Sequence, residues 1–245
     1  MKKCLVSVKV LKRYDGIKNI GVKAMKRTCV LCGMRSGLVA LLLVCMLFCM
    51  SGCGARVKTI DFKEHLDDTV LELDGQKYPL RELAFYVAYE EQVIQEQALV
   101  YDATDPNAYW NTHMNGYFVR IRARDEAMNM AIHDFIFYEM AQELGMELDQ
   151  EEIDYATGRS EDFWLDLGET GQARLGITGE ELTEDLLRMA LAQKYQRLYA
   201  AMQNVPEEDY HVDGAAYETL LGEHTYKIRD RLWEGVSMGH VTLDQ

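Results

Sequence analysis

Hydrophobic and polar positions change their spacing several times along this 245-residue chain, and each spacing predicts a different element. Residues 69–78 alternate apolar and polar side chains around an Asp-Gly pair, which is typical of a small β-hairpin with a two-residue turn. From Pro79 onwards, apolar residues recur at helical spacings as far as about residue 101. Because proline suits the first position of a helix, we predict a helix over 79–101, followed by a break at 102–108.

A long helix is predicted from about Thr112 to Leu144, and Gly145 is a suitable stop for it. Its apolar residues fall on two separate faces, and a helix with two apolar faces is usually packed between other helices. The first face contains Phe118, Ile121, Met128, Ile132 and Phe135, and the second contains Met130, Phe137, Ala141 and Leu144.

Two capping boxes mark the starts of later helices, one at Asp149 with Glu152 and one at Thr178 with Glu181. The first of these helices is expected to end near residue 167, before a Gly-rich loop over 168–176. The second is expected to end at Pro206.

The rest of the chain predicts a weaker helix over 213–233 and a short tail. Together these elements indicate one mainly α domain with a small N-terminal β-hairpin. At about 175 residues, such a domain is long enough to bury a core of its own.

The N-terminal segment has the pattern of an export signal. Residues 26–35 are basic, residues 36–55 carry no charge, and the apolar run 38–48 is shorter than the roughly 20 residues that a membrane-spanning helix prefers. The run leads into Met50-Ser51-Gly52-Cys53, which resembles the lipobox of bacterial lipoproteins, although leucine is more usual at the first position.

The lipobox resemblance implies that Cys53 is acylated with diacylglycerol and that the peptide bond before it is cut. Residues 1–52 would then be the signal peptide, with Met25 as an alternative start, and residues 53–68 a lipidated tether. An uncleaved signal anchor is the alternative. Because positive charge before an apolar segment keeps that end in the cytoplasm, either arrangement exports the domain on the other side of the segment.

Charge divides the chain at the same place. The whole chain has a net charge of −14, but residues 54–245 hold 16 basic and 39 acidic residues, a net charge of −23. A domain this acidic repels phosphate backbones, so nucleic acid is not expected as a partner. All six cysteines lie within residues 1–53, so the exported part is expected to fold without disulfides.

The exported part carries no recognisable catalytic pattern. It contains no Gly-x-Ser-x-Gly elbow, no phosphate-binding glycine loop and no His-Glu-x-x-His motif. Its acidic runs lack the alternating Asp/Asn loop with glycine that binds calcium. The histidines are scattered along the chain, at 65, 113, 133, 211, 224 and 240. We therefore predict no catalytic residue, no metal site and no cofactor.

A family resemblance adds a function. Three segments, 70–75, 78–83 and 141–149, resemble the N-terminal peptide-binding domain of the SurA/PrsA-type foldases and their trigger-factor relatives. The resemblance covers roughly residues 69–202, within a predicted helical domain over 69–205, and implies a helical cradle for unfolded, newly exported chains. Only 43 residues follow Met202, too few for the parvulin-type prolyl isomerase domain that many such proteins carry.

We therefore expect a chaperone, anchored to the extracytoplasmic face of the cell membrane through Cys53, that binds unfolded polypeptides. Tyr86, Tyr89, Tyr117 and Phe137 are the predicted groove residues, because aromatic side chains offer large apolar contact areas. Three alternatives stay open: an adaptor lipoprotein that docks a folded partner, a solute-binding lipoprotein, and an isomerase relative with residual activity. Residues 206–245 are expected to add only a C-terminal helix and tail.

Overall fold

The computed structural model describes residues 58–243, so the predicted signal peptide and Cys53 lie outside the described residues. This part of the chain is mainly helical, as predicted. Its helices are α1 (Ala84–Tyr101), α2 (Pro106–Trp110), α3 (Val119–Glu143), α4 (Gln150–Leu175), α5 (Gly179–Gln203), α6 (Ala215–Leu221) and α7 (Asp230–Trp233). Its strands are β1 (Thr69–Leu73), β2 (Gln76–Pro79), β3 (His113–Met114), β4 (Tyr117–Phe118) and β5 (Tyr226–Ile228).

The predicted N-terminal hairpin is confirmed, and it is part of a larger sheet. Strands β1 and β2 pair antiparallel through Asp74 and Gly75, whose φ angles of 49° and 87° suit a type I′ turn. Strand β5 pairs antiparallel with the other edge of β1, so the sheet order is β2-β1-β5. The helix predicted over 213–233 is therefore wrong in its middle, because residues 226–228 are a strand.

The long helix is confirmed as the centre of the fold. Helix α3 packs against α1 and α5, and α4 packs against α5. Phe135 and Phe137 on α3, one from each predicted apolar face, are fully buried. Phe118 and Leu144, which were predicted at the two ends of those faces, are exposed.

Helix α3 begins seven residues later than predicted, because a second hairpin precedes it. Strands β3 and β4 pair across Asn115 and Gly116, which both have positive φ angles. An Asn-Gly pair is the typical sequence for such a turn. The preceding break contains the short helix α2. The helix predicted from Pro79 is also shifted, because Pro79 ends β2 and a 3₁₀-helix over Leu80–Leu83 leads into α1.

Both capping boxes are present at the starts of α4 and α5. The predicted Gly-rich loop is wrong, because the chain remains helical up to Leu175 apart from Gly168. Gly168 has φ 62° and ψ 168°, a conformation open only to glycine at low cost, and it kinks α4 there. The helical turn after this kink packs against the C-terminal tail at Gly171, where a Cβ atom would lie 3.2 Å from the Thr242 carbonyl oxygen.

The C-terminal tail and the end of the predicted tether belong to the same core as the helices. Val236, Met238 and Val241 are buried, and so is Phe62 in the segment predicted as a tether. The backbone NH of Ile60 donates to the Gly235 carbonyl at 3.0 Å. Residues 58–243 thus contain a continuous core of their own. Within this range, no helix combines the length and the apolar character needed to cross a bilayer.

Glu90 on α1 is expected to make the stability of the folded protein depend on pH. Burial first, and the Glu126 carboxylate second, raise the pKa of Glu90 to about 7 from an ordinary 4.5. Between these two values the folded protein binds more protons than the unfolded chain, so its stability falls as pH rises and then levels off above about pH 7.

Replacing Glu90 with glutamine should remove that loss of stability. We expect Glu90→Gln to raise the free energy of unfolding by about 1–2 kcal/mol at about pH 8.5, a value reduced for partial solvent screening, and by less at about pH 5.5. Urea unfolding at both pH values measures this difference. Glu96→Gln, at an exposed position of the same helix, is the control. An equal gain in the free energy of unfolding at both pH values would contradict a raised pKa for Glu90.

Candidate functional site

An open cleft of about 840 Å³ lies between α1, α3, α4 and α5. Its volume is within the range of pockets that bind small molecules or peptide segments. Apolar and aromatic side chains dominate its walls, and polar side chains lie among them. The apolar lining residues are Phe85, Tyr86, Tyr89, Met130, Tyr155, Ala156, Phe163, Leu186, Met189, Ala190 and Val212.

Aromatic rings from two facing helices form one end of the cleft. The Phe85 ring on α1 lies 5.4 Å from the Phe163 ring on α4 and 5.8 Å from the Tyr89 ring, measured between centroids. Tyr89 is 40% exposed, and Tyr155 on α4 is 68% exposed. These large side chains therefore reach solvent inside a concave surface, where they are available to a ligand.

The floor of the cleft is a buried hydrogen-bond network. The Tyr86 hydroxyl donates to Asp134 Oδ2 at 3.1 Å, and Asp134 Oδ1 lies 2.8 Å from His133 Nδ1. His133 Nε2 lies 2.8 Å from the Tyr210 carbonyl oxygen, which also accepts from Gln196. Both partners of the imidazole are oxygen atoms, one from a carboxyl group and one from a backbone carbonyl. The network fixes α1, α3 and α5 to the 3₁₀-helix over Glu207–Tyr210.

An ion pair behind the floor holds α5 in place. Arg188 Nη1 donates to Glu82 Oε2 at 2.6 Å, and its guanidinium lies over the Phe135 ring at 5.6 Å. Asp185, one turn earlier, is buried, and burial raises its pKa well above the ordinary value while Arg188 opposes that increase. This anchoring positions Leu186 and Met189 of the same helix at the cleft.

The mouth of the cleft is polar and carries both signs of charge. Arg159 and Arg197 line it together with acidic side chains, and Gln92 and Gln193 add amide groups. Amide side chains can both donate to and accept from a peptide backbone. The arrangement therefore offers apolar contacts in the centre and adaptable hydrogen bonds at the rim.

The predicted groove residues lie in different places. Tyr89 is on the cleft wall and Tyr86 is in its floor, where the side chain is buried. Phe137 lies elsewhere, because its side chain is fully buried in the core and does not line the cleft. Tyr117 is 63% exposed on β4, outside the cleft.

Sequence reasoning missed the cleft residues of α4 and α5. Tyr155 and Phe163 are eight residues apart on α4, which separates them by about 80° around the helix axis and leaves both within one broad stripe. That spacing could have marked an apolar stripe. It could not have shown that the stripe faces a cleft, because this depends on the distance between α4 and α1.

Within residues 58–243, no group of three or more His, Cys, Asp or Glu side chains is arranged to hold a metal ion.

Comparison of the chain with protein-family models, with curated protein sequences and with solved structures finds no match. The resemblance to the SurA/PrsA-type foldases therefore stays a prediction.

Proposed function

We propose that this protein is a lipid-anchored chaperone that binds unfolded, exported polypeptides in the cleft between α1, α3, α4 and α5. The observation that carries the proposal is the exposure of Tyr89 and Tyr155 on facing walls of a concave surface. Unfolded chains expose apolar and aromatic side chains, and such walls remove them from water.

The composition of the cleft suits ligands of varied sequence. Met130 and Met189 are half-buried at its surface, and the unbranched methionine side chain adapts its shape to different partners. The glutamines of the rim pair with backbone groups, which every client shares. Selectivity for unfolded chains follows, because a folded protein does not offer a free backbone together with apolar side chains.

The lipobox supports the proposed location. Acylation of Cys53 would hold the domain close to the membrane surface, where exported chains emerge unfolded. The domain's own charge of −23 gives it no attraction for an anionic bilayer, so attachment would depend on the lipid and on local contacts.

Aggregation of a chemically unfolded client, followed by light scattering, tests the proposal. We expect residues 54–245 to suppress aggregation near one domain per client. Tyr89→Ser combined with Tyr155→Ser should weaken this suppression by about tenfold in effective concentration, because each exposed ring contributes roughly 0.5–1.5 kcal/mol of contact.

Tyr117→Ser is the matched control, because it removes an equally exposed tyrosine outside the cleft. It should leave suppression unchanged. Circular dichroism and thermal unfolding verify that all variants stay folded. Absence of suppression with several clients, or an equal loss in the control, would refute the cleft as the client site.

A second function is favoured by one surface, which we call the aromatic end. Here Met114, Tyr117 and Phe118 of the β3–β4 hairpin are all exposed, and Met114 pairs with Tyr117 across its two strands. Scattered exposed apolar residues are ordinary, but a group at one end of a domain marks a protein contact. Under this adaptor function a folded partner binds there, so Tyr117→Ser would abolish its binding and the cleft variants would not.

A further inference from the structure

A second cavity, of about 710 Å³, lies on another part of the domain. It is formed by residues 59–63, the first turn of α3, the last turn of α4 and the C-terminal tail. Its polar and charged lining residues are Thr59, Asp61, Lys63, Arg120, Arg174, Ser237 and His240. We call it the cationic pocket.

Three cations from three different elements converge on this pocket. Lys63 comes from the N-terminal segment, Arg120 from α3 and Arg174 from α4. His240 lines the same pocket, and its pKa is lowered first by partial burial and then by the charges of Arg120 and Arg174. Asp61 is the one acidic side chain among the lining residues.

The pocket is rigidly built. Arg174 Nη1 donates to the Leu243 carbonyl, and Arg120 Nε lies 3.5 Å from the Trp110 carbonyl. The wall that carries Ser237 and His240 is fixed by hydrogen bonds from the tail to the buried Glu91. Lys63 and Arg120 place two like charges in the lining of the same pocket, and an anionic ligand would offset the repulsion between them.

We infer that the cationic pocket binds a phosphate group, carried by an anionic lipid headgroup or free in solution. Arginine suits phosphate because its planar fork donates two parallel hydrogen bonds. Lys63 would add a mobile charge at the entrance, and the hydroxyls of Thr59 and Ser237 would donate to the remaining phosphate oxygens.

The position of the pocket favours the lipid headgroup as the source. Thr59 is six residues after Cys53, and six extended residues reach about 20 Å. If Cys53 is acylated, the pocket is therefore held within that reach of the bilayer surface. This step rests on the proposed acylation of Cys53, and it is independent of client binding in the cleft.

Calorimetric titration of residues 54–245 with inorganic phosphate tests the pocket itself. We expect saturable binding that weakens with added sodium chloride and falls at least about tenfold in Lys63→Gln combined with Arg120→Gln. Lys77→Gln with Lys227→Gln, which removes two exposed lysines of the sheet, is the control for net charge and should change affinity less than about twofold. Unchanged affinity in the pocket variant, with its fold intact by thermal unfolding, would overturn the inference.

Vesicle flotation distinguishes the two sources. The same unlipidated protein is mixed with phosphatidylcholine vesicles, with or without phosphatidylglycerol. Flotation only with phosphatidylglycerol, lost in the pocket variant, assigns the site to lipid headgroups. Phosphate binding without flotation assigns it to a soluble phosphate, and binding in neither experiment refutes the site. A failure of the aggregation test would not change these two binding results, because the cleft and the cationic pocket are lined by different residues.

Discussion

Replacement of Glu91 with alanine is expected to lower the free energy of unfolding by about 3–5 kcal/mol. Glu91 is a fully buried carboxylate on α1, and it binds the C-terminal tail. Its Oε1 accepts from the backbone NH groups of Gly239 at 2.6 Å and Val241 at 3.0 Å. Its Oε2 accepts from the backbone NH and the hydroxyl of Thr242, at 2.7 and 2.6 Å.

The large effect arises because the substitution leaves buried donors without an acceptor. Alanine removes the carboxylate, so three backbone NH groups and one hydroxyl lose their partners in a buried place. Burial raises the pKa of Glu91, and the four donors oppose that increase. We expect the tail to detach first, because these bonds attach its loop to α1. Trp110 would then lose its contact with Gly239.

Urea unfolding together with limited proteolysis measures both consequences. Glu91→Ala should shift the urea midpoint and allow cleavage within residues 236–243. Glu96→Ala, at an exposed site one and a half turns further along α1, should change stability by less than about 0.5 kcal/mol. A small effect at Glu91, with the tail still protected, would show that the tail is held by its apolar contacts instead.

The features predicted correctly from the sequence are those that depend on neighbouring residues. The Asp-Gly turn needs two adjacent residues with positive φ, and each capping box needs two side chains three residues apart. The two apolar faces of α3 also depend on local spacing. For these elements the sequence pattern alone contains the physical cause.

The missed features depend on residues far apart in the chain. Strand β5 has only three residues, and it forms because β1 offers an unpaired edge about 150 residues earlier. Asp74 helps to align the two, since it accepts from the Thr225 backbone NH at 2.8 Å and lies 2.6 Å from His224 Nδ1. The helical turn after Gly168 likewise packs against a tail about 70 residues later. No local pattern predicts such partners.

The candidate site shows the same limit. Tyr86 and Tyr89 were predicted as groove residues, and the cleft includes both of them. Helical spacing and aromatic character cannot separate a core position from a cleft position, because both require an apolar face. Tyr117 and Phe137 were predicted on the same grounds, and one is exposed elsewhere while the other is in the core.

Phe137→Ala is the prediction that separates these two roles most sharply. The Phe137 ring is surrounded by other rings, with centroids 4.9 Å away at His133, 6.1 Å at Tyr210 and 6.4 Å at Tyr217. Truncation to alanine would leave a cavity among them that these stiff side chains cannot fill. We expect the free energy of unfolding to fall by about 3–5 kcal/mol.

Phe137→Ala should lower stability but leave client binding unchanged. Since Phe137 does not line the cleft, the fraction of Phe137→Ala that stays folded should suppress aggregation as well as the unmodified domain does at low temperature. Phe118→Ala, at an exposed phenylalanine, should cost less than about 1 kcal/mol and serves as the stability control. If Phe137→Ala instead lost suppression while its stability was unchanged, the ring would be a ligand contact. The cleft would then have to open as far as the core of α3.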